Sequence, residues 1–555
     1  MNKDFYLEPN IYFILVTVLA SSLVALPILS IFLNLFSSDQ NLLNFFNLST
    51  IKIYLTTTFF LLLGVGCLVL LLGISTAWFV TMANFPCVKF FEWSLLLPLA
   101  FPSYIVAFTY TDLLDYSGPI QTLLRNFFEW NSYNDYYFPN LRSLGGAIVM
   151  MSLVLYPYVY LLARTAFLEQ SVNTLEISKN LGKSPMQSFL EVSLPFARPA
   201  IVLGLSLALM ESLNDFGTVE FFAVPTLTQG IYDLWIGSGD FVSGTRLASI
   251  MFIFVFILYF MERAGRSKIE IYQTVSSRLS KLPKYTLRGW KKYIVFILCS
   301  IPLVFGFLIP FLFLLYLSFI YFDFGYSLNF LNAIFNTFYL SFISAIIICV
   351  VGVMVVYSRR VINLNKIVRF LINISSMGYA IPGAVLAVGI IIPINVFENS
   401  FDKFMQTFLG LNTGLFISGT IFILIFGYLV RFLIIPSGQI ESSLKKIPPT
   451  VDMFSRSVGY SSFSVMKKFH FPLIKGALIT SFLLVFVDCV KELPITLLLR
   501  PFNFETLSTH VYLYASDEMF GHASLGALTI VLIGIIPVFI MTKLISQSRS
   551  KYEHS

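Results

Sequence analysis

The sequence predicts an all-α membrane protein made of two parallel repeats of six helices, with about 12 transmembrane helices in total. Three observations lead to this fold class: the composition, the number of long apolar stretches and an internal duplication. Only 12% of the residues are charged, 57% are hydrophobic, and Phe alone occurs 59 times. Soluble domains carry roughly 25% charged residues. The composition therefore excludes a soluble protein and indicates a chain that crosses the membrane many times.

Twelve apolar stretches have the length of a membrane span, which takes about 20 residues. Six of them lie in each half of the chain. Because an even number of spans returns the chain to its starting side, the two halves have the same orientation and are parallel repeats. The stretches are 11–36, 54–80, 90–111, 143–167, 197–216 and 247–264 in the first half, and 293–320, 334–357, 367–393, 412–435, 475–495 and 523–543 in the second.

The two halves repeat each other at a constant offset of 277 residues, without a gap, over about 40 residues. Gly182 corresponds to Gly459 and Pro195 to Pro472 at this offset. The acids Glu211 and Asp215 correspond in the same way to Asp488 and Glu492. The duplication predicts a first repeat at 1–266, a basic linker at 267–292 and a second repeat at 293–555.

Charge orients the chain in the membrane. The stretch from Glu262 to Lys292 holds nine Lys and Arg residues against two Glu residues, which makes it the most basic loop. Lys and Arg concentrate in cytoplasmic loops, so this stretch is expected in the cytoplasm. Alternation along the chain then predicts that the duplicated loops, 168–196 and 436–474, and both termini are cytoplasmic as well.

Each duplicated loop has the pattern of two short helices joined by a turn. Glu176–Leu181 has helical character, Gly182 breaks it, and Pro195 closes the following short helix. Gly459 and Pro472 take the same parts in the second copy. The pattern predicts a compact helix–turn–helix that projects from the membrane toward a partner, since the chain has no soluble domain to receive it. The alternative is a plain connection between spans.

These loops resemble the EAA loop of ABC importer permeases: Glu-Ala-Ala, three residues, Gly, nine residues, an aliphatic residue, one more residue and Leu-Pro. The first copy matches it at Glu176, Gly182, Val192, Leu194 and Pro195, with Ile177 and Ser178 in place of the two Ala residues. The second copy keeps Gly459 and Pro472, has Met453, Phe454 and Ser455 at the Glu-Ala-Ala positions, and carries Asp452 one residue early as a substitute for the Glu. The resemblance implies the MetI-like permease fold.

The same resemblance implies two separate ATPase subunits that dock on these loops and bind ATP and Mg, with no cofactor on this chain. Gly182-Lys183-Ser184 is similar to the end of a phosphate-binding loop, but that motif needs a Gly where the chain has Ile177. ATP hydrolysis is therefore expected in other chains. The residues that the resemblance assigns to ATPase-subunit coupling are Glu176, Ser178, Gly182, Leu194, Pro195, Asp452, Ser455, Gly459 and Pro472.

One pair of acids lies inside the fifth span of each repeat. Glu211 and Asp215 are four residues apart and share one helix face, as do Asp488 and Glu492. An ionised carboxylate in hydrocarbon costs several kcal/mol, so these groups should face a cavity or a partner. Carboxylate oxygens suit hard cations. The four acids are therefore expected around a central path, whereas the alternative is solvation at helix ends or pairing with Lys491.

Two prolines occupy matched positions in the third spans. Pro102 lies in AFPSYIVAF and Pro382 in AIPGAVLAV. Proline inside a span removes a backbone hydrogen bond, and a cavity or a neighbouring helix must compensate. Both prolines are expected to line the substrate path, with a plain kink as the alternative.

Further segments are similar to ferric-iron permeases with two fused repeats, among them Glu211–Val224 and Val490–Ser508. Pro102–Leu124 and Tyr512–Leu528 resemble the same group. The resemblance implies a multi-pass permease of the bacterial inner membrane that receives Fe³⁺ from a periplasmic binding protein. It makes Glu211, Asp215, Asp488 and Glu492 the expected transient Fe³⁺ contacts.

Other functions remain open at this stage. Importers of the same class for thiamine, phosphonate or polyamine share the architecture. A proton-coupled secondary transporter would explain the spans and the acids, but not two matched cytoplasmic loops. An intramembrane enzyme would need a nucleophile and base or a metal cluster within a span. The four His residues form no HExxH motif, and the five Cys residues have no metal-site spacing.

Overall fold

The computed structural model describes the chain as helices joined by short turns. The residues that it describes are 11–34, 48–169, 178, 180–273, 285–287, 289–361, 370–372, 377–445 and 447–553. In the first half the helices are α1 (Ile11–Asn34), α2 (Leu48–Met82), α3 (Val88–Ser94), α4 (Ser103–Leu114), α5 (Pro119–Phe128), α6 (Leu144–Glu169), α7 (Pro185–Ser188), α8 (Leu194–Asn214), α9 (Gly217–Phe221), α10 (Leu227–Tyr232) and α11 (Phe241–Gln273).

The second half follows the same plan. Its helices are α12 (Lys291–Leu303), α13 (Ile309–Ile320), α14 (Phe322–Gly325), α15 (Leu328–Val361), α16 (Gly383–Leu409), α17 (Ile421–Phe432), α18 (Ile434–Lys445), α19 (Pro449–Ser457), α20 (Ser462–Val465), α21 (Phe471–Lys491), α22 (Pro494–Leu499), α23 (Leu507–Ser516) and α24 (Phe520–Glu553). Two strands of two residues, β1 (Ala83–Asn84) and β2 (Tyr285–Thr286), pair in parallel with Ala83 opposite Tyr285.

Short turns of other helix types interrupt or join these helices. The 3₁₀ turns are Leu97–Ala100, Tyr133–Asp135 and Gly378–Ala380, and the π-helical turns are Phe189–Ser193, Asp233–Gly237, Val304–Leu308 and Met466–His470. The π turns at Phe189–Ser193 and Met466–His470 are related by the 277-residue offset. The duplication is therefore visible in the backbone as well as in the sequence.

Within the described ranges, nine helices are long and apolar enough to cross a membrane, or up to 11 if each of two bent pairs is one span. This agrees with an all-α polytopic protein, against 12 spans predicted from the sequence. The two pairs are Val88–Ala100 with Ser103–Phe128, bent by 90°, and Ile421–Phe432 with Ile434–Lys445, bent by 45°. The predicted first span corresponds to α1, within which Thr17–Ile31 is an apolar helix shorter than the nine.

The third predicted span of each repeat is broken at its proline. Pro102 and Pro382 occupy the position before the first residue of α4 and α16, and each follows a 3₁₀ turn. Proline disfavours a helical conformation in the residue before it, so the helix ends there and a new one begins. The predicted stretch 367–393 is thus replaced by a helix that begins at Gly383, and residues 373–376 lie outside the described ranges.

The chain forms two compact units. Unit A comprises Met1–Leu42, Ile231–Phe252 and Leu328–Thr509. In it, α1 packs on α16 and α15, and Ser30 Oγ donates a hydrogen bond to the Gly389 carbonyl at 2.7 Å. The first predicted span of the sequence therefore belongs to the unit that contains most of the second repeat.

Unit B comprises Leu43–Gly230, Ile253–Ser327 and His510–Ser555. In it, α2 packs along α6 and α8, and α13 packs along α24. Tyr110 donates a hydrogen bond to the Phe305 carbonyl at 2.6 Å, so the first span of the second half lies against helices of the first repeat. The division into repeats at 266 and 293 stays a prediction about the sequence, and residues 274–284 of the linker lie outside the described ranges.

Each unit contains the same anchor between a long helix and the second helix after the acid pair. In unit B the Thr58 hydroxyl accepts a hydrogen bond from the Leu227 backbone N–H at 3.0 Å. In unit A the Thr337 hydroxyl accepts one from the Leu507 N–H at 2.7 Å. Thr58 and Thr337 lie 279 residues apart, close to the offset of the repeat, so corresponding residues make corresponding contacts.

Candidate functional site

The first loop is described at residues 178 and 180–195, which contain a glycine turn followed by a short helix. Gly182 has φ 75°, in the left-handed region that favours glycine, and ends the first helix. Ser184 then begins α7 with a reciprocal capping box, because its hydroxyl accepts from the Gln187 N–H while the Gln187 side chain accepts from the Ser184 N–H. Lys183 and Glu191 form an ion pair across the turn. Glu176 lies outside the described residues.

The second loop, residues 452–472, has the same backbone plan. Gly459 has φ 81°, and the Ser461 hydroxyl accepts a hydrogen bond from the Ser464 N–H at 3.4 Å. The loop ends at Pro472, in the first turn of α21, as Pro195 lies in the first turn of α8. The predicted helix, glycine turn, second helix and proline are therefore present in this copy. The same holds for the described part of the first copy.

Two apolar side chains are exposed at matched positions in each loop. Leu181 and Met186 are 71% and 61% exposed, and their counterparts Val458 and Phe463 are each 54% exposed. They flank the glycine turn in both copies. An exposed apolar pair at the tip of a projecting loop is the composition expected of a contact with a partner protein.

The serines assigned to coupling are not on this exposed face. Ser178 and Ser455 are both buried, and the Ser455 hydroxyl donates to the Val451 carbonyl at 2.7 Å within its helix. Leu194 and Pro195 are half-buried, whereas Pro472 is exposed. Among the predicted coupling residues, the two serines are therefore buried within the loops, whereas the two turn glycines and Pro472 are exposed.

Asp452 is held inside the chain by two partners. Its Oδ2 lies 2.7 Å from Arg360 Nη2, and its Oδ1 lies 2.9 Å from His470 Nε2. Arg360 also donates to the carbonyls of Leu444 and Ile447. Burial opposes ionisation of Asp452, but its contacts with His470 and Arg360 outweigh this and hold its pKa below the ordinary value. The proposed substitute for the family Glu thus has a partner within the chain.

The acid pair of unit B lies at the end of α8. Asp215 accepts hydrogen bonds from the Ser103 hydroxyl, from the Thr218 N–H at 2.7 Å and from the Thr218 hydroxyl at 3.0 Å. These contacts join the end of α8 to the start of α9 and to the first residue of α4. Glu211 lies one turn earlier and is half-buried.

The acid pair of unit A lies at the end of α21. Glu492 is buried, its Oε2 lies 3.4 Å from Arg431 Nε, and its Oε1 accepts from the Ile495 N–H at 3.1 Å. Asp488 lies one turn earlier and is half-buried. In both units, therefore, the second acid has local partners at a helix end. The described residues contain no group of three or more His, Cys, Asp or Glu side chains placed to hold a metal ion.

No known family profile matches the chain. Individual relatives do. The Fe(3+)-transport system permease protein FbpB 2 of Haemophilus influenzae is 24% identical over 496 residues, which cover 88% of this chain and 89% of that protein. The ferric transport system permease protein FbpB of Actinobacillus pleuropneumoniae is 24% identical over 80% of this chain and 64% of its own length. The chain is thus similar, over most of its length, to permeases named for ferric transport.

A shorter similarity points to the same class. The sulfate transport system permease protein CysT of Salmonella typhimurium is 28% identical over 151 residues, which cover 27% of this chain and 51% of that protein. Together with the apolar helices, these relatives make the permease a multi-pass inner-membrane transport subunit rather than an enzyme.

Three residues of the permease site are absent from the sequence prediction: Ser103, Arg360 and Arg431. Each contacts a predicted acid from a different helix, between 61 and 112 residues away in sequence. The sequence gives one indication of Arg431, a charge in the apolar run IFILIFGYLVRFLII. A charge inside a span is expected to have a partner, so Arg431 could have been matched with a predicted acid.

Proposed function

We propose that this permease forms the membrane path of an ATP-driven importer that takes ferric iron into the cytoplasm. The observation that carries the proposal is the similarity to an Fe(3+)-transport permease over 88% of the chain. The relatives named for sulfate match a much smaller part of it. Fe³⁺ is the cargo, and carboxylate oxygens are suited to such a hard ion.

Two ATPase subunits dock on the two loops, which would lie on the cytoplasmic side with both termini. The exposed pairs Leu181 with Met186 and Val458 with Phe463 support this role, because they place apolar surface at the tips of matched loops. ATP and Mg belong to these subunits. A periplasmic binding protein loaded with Fe³⁺ delivers the cargo on the opposite side of the membrane.

The cargo passes along the fifth spans of the two repeats. Glu211 and Asp488 are the proposed contacts, because both are half-buried acids at matched positions of the fifth spans. Asp215 and Glu492 hold the helix ends beside the path. Pro102 and Pro382 border it, since each begins a helix after a break inside a span.

Transport follows a cycle in which the loops transmit force. ATP brings the ATPase subunits together, which moves the loops and opens the path toward the binding protein. Hydrolysis returns the spans to their first arrangement. The left-handed glycines suit this task, because they fix the angle between the two helices of each loop.

Uptake in cells that lack this chain tests the substrate. Cells deleted for the permease should lose ⁵⁵Fe³⁺ uptake and regain it with the wild-type chain, while uptake of labelled thiamine and sulfate stays unchanged. Loss and recovery of thiamine uptake with unchanged ⁵⁵Fe³⁺ uptake would contradict ferric iron and favour another importer of the same class.

A purification experiment tests the docking of the ATPase subunits. Leu181→Asp with Met186→Asp should reduce ATPase-subunit recovery with the permease, and adding Val458→Asp with Phe463→Asp should remove it. Tyr137→Asp, at an exposed position outside both loops, serves as the control and should leave recovery unchanged. Full recovery with all four loop substitutions would exclude this docking surface.

A further inference from the structure

Arg431 and Glu492 form an ion pair in the interior of unit A. Arg431 is 2% exposed and Glu492 is 5% exposed, and Arg431 Nε lies 3.4 Å from Glu492 Oε2. Arg431 lies near the end of α17, and Glu492 follows the last residue of α21. The pair therefore connects the ends of α17 and α21 through two residues that lie 61 positions apart in sequence.

The pair also contacts the beginning of the broken third span. A Cβ atom added at Gly383 would lie 3.0 Å from Arg431 Nη1 and 3.0 Å from Glu492 Oε1. Such a distance is closer than ordinary packing, so the glycine after Pro382 makes room for both charges. The N-terminal end of α16 carries partial positive charge, which also favours a carboxylate at this place.

Glu492 is joined to the segment after the span by its backbone as well. Its carbonyl accepts hydrogen bonds from the Ser508 hydroxyl at 2.7 Å and from the Thr496 hydroxyl at 2.9 Å. Its side chain accepts from the Ile495 N–H. Glu492 thus forms hydrogen bonds with α22 and α23 and an ion pair with Arg431. These contacts are those of a residue that holds several helices together.

In the first repeat, a neutral residue occupies the position that corresponds to Arg431. At the 277-residue offset, Val154 takes the place of Arg431, and Ser103 follows Pro102 as Gly383 follows Pro382. Ser103 donates its hydroxyl to Asp215 in unit B. Neutral donors hold the second acid of the first repeat, whereas a guanidinium holds that of the second.

We propose that Arg431 is a positioning residue that acts through Glu492 to fix the break at Pro382 beside the transport path. Glu492 then contributes a charge to Arg431 rather than a ligand to the cargo. This inference rests on the proposed transport function for its uptake readout. The contacts of the pair support it independently, because a buried charge that loses its partner is strongly destabilising, whereas replacing both charges by apolar groups is often tolerated.

A double-substitution cycle tests the pair in the full-length permease. The variants are Arg431→Met, Glu492→Gln and the two together, measured by thermal unfolding of the purified protein in detergent and by ⁵⁵Fe³⁺ uptake in cells. Each single change should lower the unfolding temperature by several degrees and reduce uptake by about tenfold or more, since it leaves one buried charge unpaired. The double variant should regain most of both, within about threefold of wild-type uptake.

The controls separate a positioning role from contact with the cargo. Glu492→Asp keeps the charge and should retain most uptake. Arg431→Met combined with Asp215→Asn removes an acid that the structure does not pair with Arg431, and it should show no recovery over Arg431→Met alone. If the double variant is no better than Glu492→Gln in either readout, the positioning pair is overturned and Glu492 has a role of its own.

The uptake and unfolding measurements also distinguish an error in the proposed transport function from an error in the proposed ion pair. If wild-type cells show no ⁵⁵Fe³⁺ uptake that depends on the chain, ferric transport is wrong. The unfolding cycle still measures the pair in that case. Recovery of the unfolding temperature in the double variant supports the ion pair, and additive losses overturn it.

Discussion

The two loops share the same backbone geometry, but different side-chain contacts hold them in place. Both turn at a left-handed glycine, Gly182 at φ 75° and Gly459 at φ 81°, and both continue through a π-helical turn. The second loop is tied by Asp452 to Arg360 at the end of α15 and to His470 in its own π turn. At the positions of Asp452 and His470, the first loop has Leu175 and Ser193. The two copies thus have the same backbone geometry but differ in the side chains that stabilise it.

This difference indicates that the second loop is held more rigidly than the first, although their backbones have the same shape. An ion pair with both side chains largely buried fixes the second loop against α15. The ion pair of the first loop, Lys183 with Glu191, joins two parts of the loop itself and is more exposed. Exposed pairs contribute little, about 0–1 kcal/mol. We therefore expect charge substitutions to affect the second loop more than the first.

The largest expected effect comes from replacing the glycines. Proline holds φ near −65° and cannot adopt the observed positive angles. Gly182→Pro and Gly459→Pro should each abolish recovery of ATPase subunits with the purified permease. Alanine at the same positions costs about 1–2 kcal/mol in the left-handed region and should reduce recovery without abolishing it. Normal recovery with either proline would show that the corresponding loop is not required for docking.

The next effect is specific to the second loop. Arg360→Ala should destabilise the protein by roughly 1–3 kcal/mol, because it leaves the Asp452 carboxylate without its guanidinium donor. The matched control is Thr81→Ala in the first repeat, where the hydroxyl only bonds to its own helix at Ala77. Thermal unfolding in detergent and protease cleavage of the second loop are the measurements. Equal losses for the two substitutions would contradict the difference between the loops.

The attachment of the second loop should also depend on pH in one direction. The pKa of Asp452 is lower in the folded protein than its ordinary value of about 3.9. Its contribution to stability is therefore complete above about pH 5 and is lost as the pH falls through the folded pKa. Loss of the Asp452 charge should therefore increase protease cleavage of the second loop as the pH falls below about pH 4. Asp452→Asn should increase cleavage above that pH as well.

The smallest expected effect separates the two helix caps. Removing a capping hydroxyl costs about 0.5–2 kcal/mol of helix stability. Ser184→Ala should lie nearer the upper end, because Ser184 and Gln187 cap each other. Ser461→Ala should cost less, since its contact with the Ser464 N–H is 3.4 Å long. Hydrogen exchange of the α7 and α20 amides would measure both, and the reverse order would contradict the caps seen here.

Part of this arrangement follows from local sequence. The glycine turns, the closing prolines and the breaks at Pro102 and Pro382 depend on residues next to each other in the chain, so the pattern predicts them. The constant offset predicts the repeat, because duplicated segments fold in the same way. The exposure of Leu181 and Met186 could be read only from the structure, since a sequence rich in apolar residues does not show which of them are buried.

The remaining features depend on contacts that are distant in sequence. The placement of α1 with the second-repeat helices of unit A, and of α13 with α24 in unit B, depends on packing between separate spans. Spacing within one span cannot predict it. The partners of the acids raise the same difficulty, because Arg431 and Arg360 lie on other helices than Glu492 and Asp452. The sequence shows where each acid lies along the chain, whereas the fold determines which Arg residue it contacts.

The most direct test of the account is ⁵⁵Fe³⁺ uptake in cells that carry Glu211→Ala with Asp488→Ala in place of the wild-type permease. The control, Glu129→Ala with Asp517→Ala, removes the same number of carboxylates from exposed positions. Ferric transport along the fifth spans predicts that the first variant loses uptake while it still reaches the membrane and retains its ATPase subunits, and that the control transports normally. Wild-type uptake by the Glu211 and Asp488 double variant would contradict it.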